Sequence, residues 1–157
     1  MLEKSGECRK ERKIIMAKVE MQKIVEKMNL KNLTPDVSLE DRAVGVPDTN
    51  RPALQLTGFF EHFDYKRVQI IGYVEYTFLK TVDEKEKERI YDTLLSYQIP
   101  CIVFCRDLQP EPMLLEKANE RQVPVFSTNV KTSAFTAELI RWLNVELAPW
   151  ISIHGVL

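Results

Sequence analysis

Residues 99–107, IPCIVFCRD, decide the fold of this chain. From Ile99 to Cys105 the run is continuously apolar and β-branched. It is too short for an ordinary helix and lacks the alternation of a half-exposed strand, so it reads as a strand covered on both faces. Upstream, RVQIIG (67–72) is a second short apolar run closed by glycine, and downstream VPVFS (123–127) is a third. Helical patterns separate and follow them. Residues 75–79 read as a short helical turn. Residues 83–97 read as a helix with the charged DEKEKER outward and Ile90, Leu94, Leu95 and Tyr97 inward. Pro110 and Pro112 open a helix through about Glu120, and residues 132–147 carry Phe135, Leu139, Trp142, Leu143 and Leu147 near helical spacing. Short buried strands alternating with such helices argue for an α/β layered fold with a largely parallel sheet.

Toward the N-terminus, Met21, Ile24, Val25 and Met28 fall at i, i+3, i+4 and i+7 and predict an amphipathic helix over 16–29. Residues 33–50 are polar and punctuated by Pro35, Gly45 and Pro47, with a short strand at 43–46. Thr49 or Asn50 suits the cap of a helix that tolerates Pro52 in its first turn and runs to about His62.

With 157 residues and 45% apolar content, the chain suits one domain with a compact core. Lys+Arg 22 against Asp+Glu 23 gives a formal net charge of -1, so nothing global recommends nucleic acid or an anionic membrane. The four basic residues around Glu11 read as a solvated N-terminal extension over 1–15, with Met16 an alternative natural start. No stretch approaches the ~20 apolar residues of a membrane span, and the opening lacks a signal peptide's apolar region, which points to a cytoplasmic protein. Cys8, Cys101 and Cys105 form neither a disulfide framework nor a zinc spacing. Cys101 and Cys105 share a strand face about 13 Å apart, so they cannot bridge and read as buried thiols.

Several short elements occur in a specific order. Arg51 and Pro52 are followed by Gly58, Phe59 and Phe60, then by Arg67, Gln69 and Gly72, then by Glu75 with Phe78 and Leu79, and finally by His154 to Leu157, HGVL. In these elements the chain resembles the N-terminal portion of the bacterial HPr kinase/phosphorylase family, from about Val19 to Leu157. The resemblance implies a three-layer α/β/α domain similar to the N-terminal domains of the ligases that add amino acids to UDP-muramoyl peptides. It also implies that 16–149 form this domain and that 150–157 are the linker and first strand of a catalytic domain carrying the ATP-binding loop. The complete enzyme would be a cytoplasmic homohexamer that phosphorylates a seryl residue of the phosphocarrier HPr with ATP and Mg2+. It would reverse that step with inorganic phosphate, in carbon catabolite control. The partners implied are its own C-terminal kinase domain, HPr through that domain, and further copies of itself.

His154 is the residue onto which the resemblance carries a catalytic role, because its segment precedes the phosphate loop in the family. An imidazole titrates near neutral pH and can exchange a proton with a hydroxyl or phosphate. The chain's five glycines are too widely spaced for a P-loop of the form GxxxxGK[ST], so it is expected to be inactive alone, with no cofactor of its own. His62 has no histidine or cysteine at ligand spacing and reads as structural or surface, and no metal site is expected.

A second candidate is STNVKTS (127–133), between a strand and a helix. Free N–H groups there, the hydroxyls of Thr132 and Ser133 and the charge of Lys131 suit a phosphate or carboxylate. Ordinary N-capping accounts for the same residues. Arg51, at the start of another expected helix, carries the same two readings. The rival to a kinase accessory domain is therefore a stand-alone module that binds an anion or nucleotide-sugar. Phe59, Phe60, Phe63, Trp142 and Trp150 read as core unless they form an exposed patch.

Overall fold

The computed structural model describes residues 17–148. The extension at 1–15, Cys8, Trp150, His154 and the expected strand at 150–157 lie outside the described residues. In chain order the elements are β1 (Val19–Glu20), α1 (Met21–Met28), β2 (Lys31–Asn32), β3 (Ala43–Val44), β4 (Thr49–Asn50), a 3-10 turn (Gln55–Thr57), β5 (Val68–Ile71), α2 (Tyr73–Leu79), α3 (Glu84–Ser96), β6 (Ile102–Phe104), α4 (Pro112–Arg121), β7 (Val125–Ser127) and α5 (Thr132–Glu146). Five strands form one sheet in the order β2-β7-β6-β5-β4. Its four strands from β4 to β7 are parallel, and β2 closes the far edge antiparallel to β7. A separate two-stranded ribbon pairs Val19 with Val44.

Two apolar clusters make this a three-layer α/β/α domain. Val68, Ile70, Val103 and Phe126 point to one face, where Met21 and Ile24 of α1 and Phe135, Leu139 and Leu143 of α5 cover them. Ile71, Ile102, Phe104 and Val125 point to the other, beneath Ile90, Leu94 and Leu95 of α3 and Leu114 and Ala118 of α4. The period of two along each strand thus feeds two cores, which is why the central runs contain almost no polar residue. The exceptions are Ser127 at the end of β7 and Gln69, fully buried in β5. Its amide oxygen accepts from Asn50 Nδ2 at 2.7 Å, and its Nε2 donates to the carbonyls of Arg67 and Asp64.

The expected strands at 67–72, 99–105 and 123–127 and the helices after them are present. Three expectations need correction. No helix spans residues 50–62: Thr49 and Asn50 instead extend the parallel sheet beside β5, and only a single 3-10 turn follows before Gly58, at φ 98, ends it. The Asn50 side chain, read as a helix cap, is engaged across the sheet by Gln69. The helix expected over 16–29 begins at Met21, because Val19 and Glu20 are held by β3. The charged run of α3 is not wholly outward, since Lys87 is buried.

Candidate functional site

The carboxyl ends of β5, β6 and β7 open onto the turns that lead into α2, α4 and α5, the edge at which parallel α/β sheets place their ligands. β5 ends at Gly72, whose φ of -104 and ψ of -169 are ordinary extended backbone. Glycine is needed there for space. A Cβ would lie 2.7 Å from Arg51 Nη2, 2.7 Å from Thr132 Oγ1 and 3.1 Å from Thr132 Cγ2. The sequence thus brings Arg51, from just past β4, and Thr132, at the first position of α5, against one backbone point.

Glu75 holds this arrangement together. It is 3% exposed, and its carboxylate receives Arg51 Nε at 2.9 Å and Nη2 at 2.7 Å. It also accepts from the Gly72 N–H at 2.9 Å, capping α2. A buried carboxylate is tolerated because a two-pronged guanidinium and a backbone amide replace its water. Arg51 remains 44% exposed on its other side.

Beneath lies Cys105, whose thiol burial pushes up to about 11, with the neighbouring Thr132 hydroxyl, Arg51 and Arg106 easing the rise and Glu75 adding to it. The Thr132 hydroxyl is buried against this thiol. Cys101, deeper on the same face, is pushed by burial to about 12. Both are free, buried thiols.

The structure brings Arg51 and Thr132 together and sets Lys131 and Ser133 exposed on either side of Thr132. Lys131 occupies the cap position of α5 with no side-chain hydrogen bond to the helix. The loops after β6 and β7 are laced by Arg106 N–H to Val130 O at 3.0 Å and Asp107 N–H to Thr128 O at 2.9 Å. Sequence reasoning missed Gly72 and Glu75 as parts of the site; a glycine closing a strand with an acid three residues on is the pattern that marks them.

Other clusters are structural. Glu111 accepts from Tyr91 Oη at 2.5 Å and from Lys87 Nζ at 3.0 Å, pinning the start of α4 onto α3 beside a cleft of about 100 Å3. Burial works against the charged form of Lys87, but Glu111 and Glu84 outweigh it and leave its pKa raised. A concavity of about 990 Å3 near Lys18, Pro35 and Asp41 is an open surface away from the strand ends. His62 is exposed, with φ 60, and lies 3.8 Å from Glu61. Among the described residues, no group of three or more His, Cys, Asp or Glu side chains is placed to hold a metal. No helix there is long and apolar enough to cross a membrane. Phe63 and Trp142 are buried, as expected, but Phe59 is 48% exposed. Phe60 and Phe63 pack with Tyr97 at centroid distances of 5.8 and 5.0 Å.

Fold and site together define a three-layer α/β domain with a polar, ion-paired strand-end edge. Residues 19–143 match the family described as HPr Serine kinase N terminus, and the chain belongs to that family. It is 52% identical over 142 residues to an HPr kinase/phosphorylase of Lachnoclostridium phytofermentans, a match covering 90% of this chain and 46% of that one. It is 37% identical over 144 residues to an HPr kinase/phosphorylase of Alkaliphilus metalliredigens, with coverage of 90% and 46%. The chain therefore spans about half the length of the curated relatives it matches. Among solved structures, it is similar in fold to the CBS and DRTGG domains of the regulatory region of Clostridium perfringens pyrophosphatase, solved with its activator diadenosine tetraphosphate. That similarity has a TM-score of 0.53 at 15% identity, covering 87% of this chain and 49% of the other.

Proposed function

We propose that this chain serves as the assembly or regulatory domain of an HPr kinase/phosphorylase, acting with a catalytic half that phosphorylates and dephosphorylates a seryl residue of HPr. The observation that carries this reading is the match of residues 19–143 to the N-terminal family, against relatives about twice as long. ATP and Mg2+ do not fit the described residues: the three glycines among them, Gly45, Gly58 and Gly72, make no phosphate loop, and no metal-holding group is present there. Both would be bound by the catalytic half, in a cytoplasmic homohexamer. On this reading residues 150–157 lead into that half. His154 would stand near its phosphate loop, where an imidazole can move a proton at the seryl hydroxyl or the phosphate.

The test has two arms. Purified chain incubated with HPr, ATP and Mg2+ is expected to form no phosphoserine, because phosphoryl transfer depends on positioning and charge stabilisation that its residues do not supply. Deleting the matching domain from the Lachnoclostridium phytofermentans relative is expected to change its oligomeric state or its response to effectors. Phosphoserine formed by the isolated chain, or a deletion variant unchanged in both assembly and response, would overturn the proposal.

A further inference from the structure

We infer that the cleft at the carboxyl end of β6, between α2, α3 and α4, binds a small monocarboxylate with a short apolar body. The inference stands on this chain's own geometry and does not depend on the kinase reading.

The first observation is the shape and lining of the cleft. Leu79 of α2, Phe104 of β6, Pro110 and Leu114 of α4 give it apolar walls, all of them buried. Lys80, Lys87 and Glu111 bring charge to the same space. An apolar hollow with a few convergent polar groups is the usual form of a small-molecule site, and the carboxyl end of a parallel strand is its usual place. The volume is about 100 Å3, or some three waters at ~30 Å3 each. That is room for a short-chain acid and not for a nucleotide.

The second observation is a buried ammonium with donors to spare. Lys87 is 7% exposed, although it belongs to the charged run that opens α3. Taking an ammonium out of water is costly unless its donors are used. The pair that pins α4 onto α3 uses only part of them. Lys87 Nζ donates to Glu111 Oε2 at 3.0 Å, and Glu84 Oε1, on an exposed side chain, stands at 3.3 Å. An ammonium has three N–H donors, so at least one is left over on a side chain that lines the cleft.

The acceptors nearby are already engaged. The other oxygen of Glu111 accepts from Tyr91 Oη at 2.5 Å, and Tyr76 Oη is turned to the carbonyl of Gln109 at 2.9 Å. Lys80 adds a second ammonium 4.9 Å from the centroid of the Tyr76 ring, and among the described residues it forms no ion pair. Donors therefore outnumber acceptors around apolar walls. An amine would bring more donors and meet two ammonium groups, and a phosphate would set oxygen against leucine and phenylalanine. A carboxylate supplies the missing acceptors at one end, while its chain covers Leu79, Phe104 and Leu114 at the other.

The experiment titrates the 157-residue chain, labelled with 15N and with 13C in the leucine methyls, with sodium butyrate at ionic strength fixed with sodium chloride. Butan-1-ol and butylammonium chloride, with the same chain but no carboxylate, are the comparison ligands. Saturable shifts are expected at the Leu79 and Leu114 methyls and at the Lys80 and Glu111 amides, with millimolar affinity for so small a ligand. The alcohol and the amine should bind at least about tenfold more weakly, the loss expected for one hydrogen bond between charged groups. Lys87→Met keeps an apolar stem, removes the ammonium and should weaken butyrate by a similar factor. Shifts that do not saturate, butan-1-ol binding as well as butyrate, or a folded Lys87→Met protein that binds like the parent would each overturn the inference. If Lys87→Met does not fold, the comparison of butyrate with butan-1-ol still decides.

Discussion

Replacing Gly72 with alanine adds one methyl group where the structure has no room for it. The backbone there is extended, so any L-residue can adopt it and no conformational strain is introduced. The cost is steric. The new carbon would stand 2.7 Å from both Thr132 Oγ1 and Arg51 Nη2, well inside the ~3.5–4.0 Å at which carbon contacts are favourable. Thr132 belongs to the first turn of α5 and cannot retreat without moving the helix start. Arg51 has a flexible side chain, but its shift pulls at two hydrogen bonds to a buried carboxylate. Overpacking of this kind costs about 1–3 kcal/mol, and loosening the Arg51–Glu75 pair places Gly72→Ala in the upper half of that range. Urea unfolding followed by circular dichroism measures it. Gly45→Ala supplies the control: its Cβ would meet nothing nearer than 3.7 Å, so its cost should stay within about 0.5 kcal/mol, as for an ordinary surface change. Combining Gly72→Ala with Thr132→Ala removes both crowding atoms of the threonine and should cost less than the two single changes added together. A Gly72→Ala protein as stable as the parent, or strictly additive losses in the double variant, would refute the steric reading of this turn.

Arg51→Met strands the Glu75 carboxylate with only the Gly72 amide. A loss of about 2–3 kcal/mol in urea unfolding is expected, less than a fully buried pair would give because Arg51 is 44% exposed; a loss under ~0.5 kcal/mol would contradict the clamp. Tyr91→Phe removes the 2.5 Å bond to Glu111 and should cost about 1.5 kcal/mol, and calorimetry showing no fall in Tm would count against it. Cys101 and Cys105 should resist a thiol reagent in the native state and react on unfolding. Their folded thiols sit near 12 and 11 against an ordinary value of 9.0, so the folded state keeps protons that the unfolded chain releases. Stability from this source is complete below about pH 9 and lost as pH rises from there toward 11 and 12; replacing both thiols with alanine should flatten that alkaline decline, and an unchanged decline would refute it.

The buried strands were legible because their apolar runs serve two faces at once, so no alternation had to be decoded: Val103 and Phe104 face opposite cores. The helices from α3 to α5 were legible through their spacing. What escaped the sequence were elements held by partners distant in the chain. Thr49 suits a strand but Asn50 does not, and no apolar run marks the pair; they join the sheet because β5 offers an open edge and Gln69 a buried amide. Lys31 and Asn32 are polar and join β7 as an edge strand, with Thr34 Oγ1 accepting from Val125 N–H at 3.0 Å. Of the site, Thr132 was visible as a helix-start residue, whereas Arg51 was expected to open a helix and instead follows β4. Their meeting was not visible, since it is made by Gly72 and Glu75, and no local pattern says that residues 51, 75 and 132 share one corner.

That corner also anchors a helix whose outer face is apolar and exposed. α2 begins immediately after Gly72 and carries Tyr73 at 59% and Val74 at 67% exposure, with Phe78 at 37%. Its first turn is fixed by Glu75, whose carboxylate bonds both the Gly72 amide and Arg51. Arg51 in turn stands across Gly72 from Thr132. A partner resting on Tyr73 and Val74 would press on this turn from outside. Exposed aromatic and branched side chains on a short helix, anchored through one ion pair, form a lever with little mass behind it. Val74→Ser should separate this face from the clamp. It changes the outer face of α2 without touching the clamp, so stability should stay within about 0.5 kcal/mol of the parent, while any self-association seen by analytical ultracentrifugation should weaken. A loss above about 1 kcal/mol in Val74→Ser would show that the outer face of α2 is not separate from the clamp.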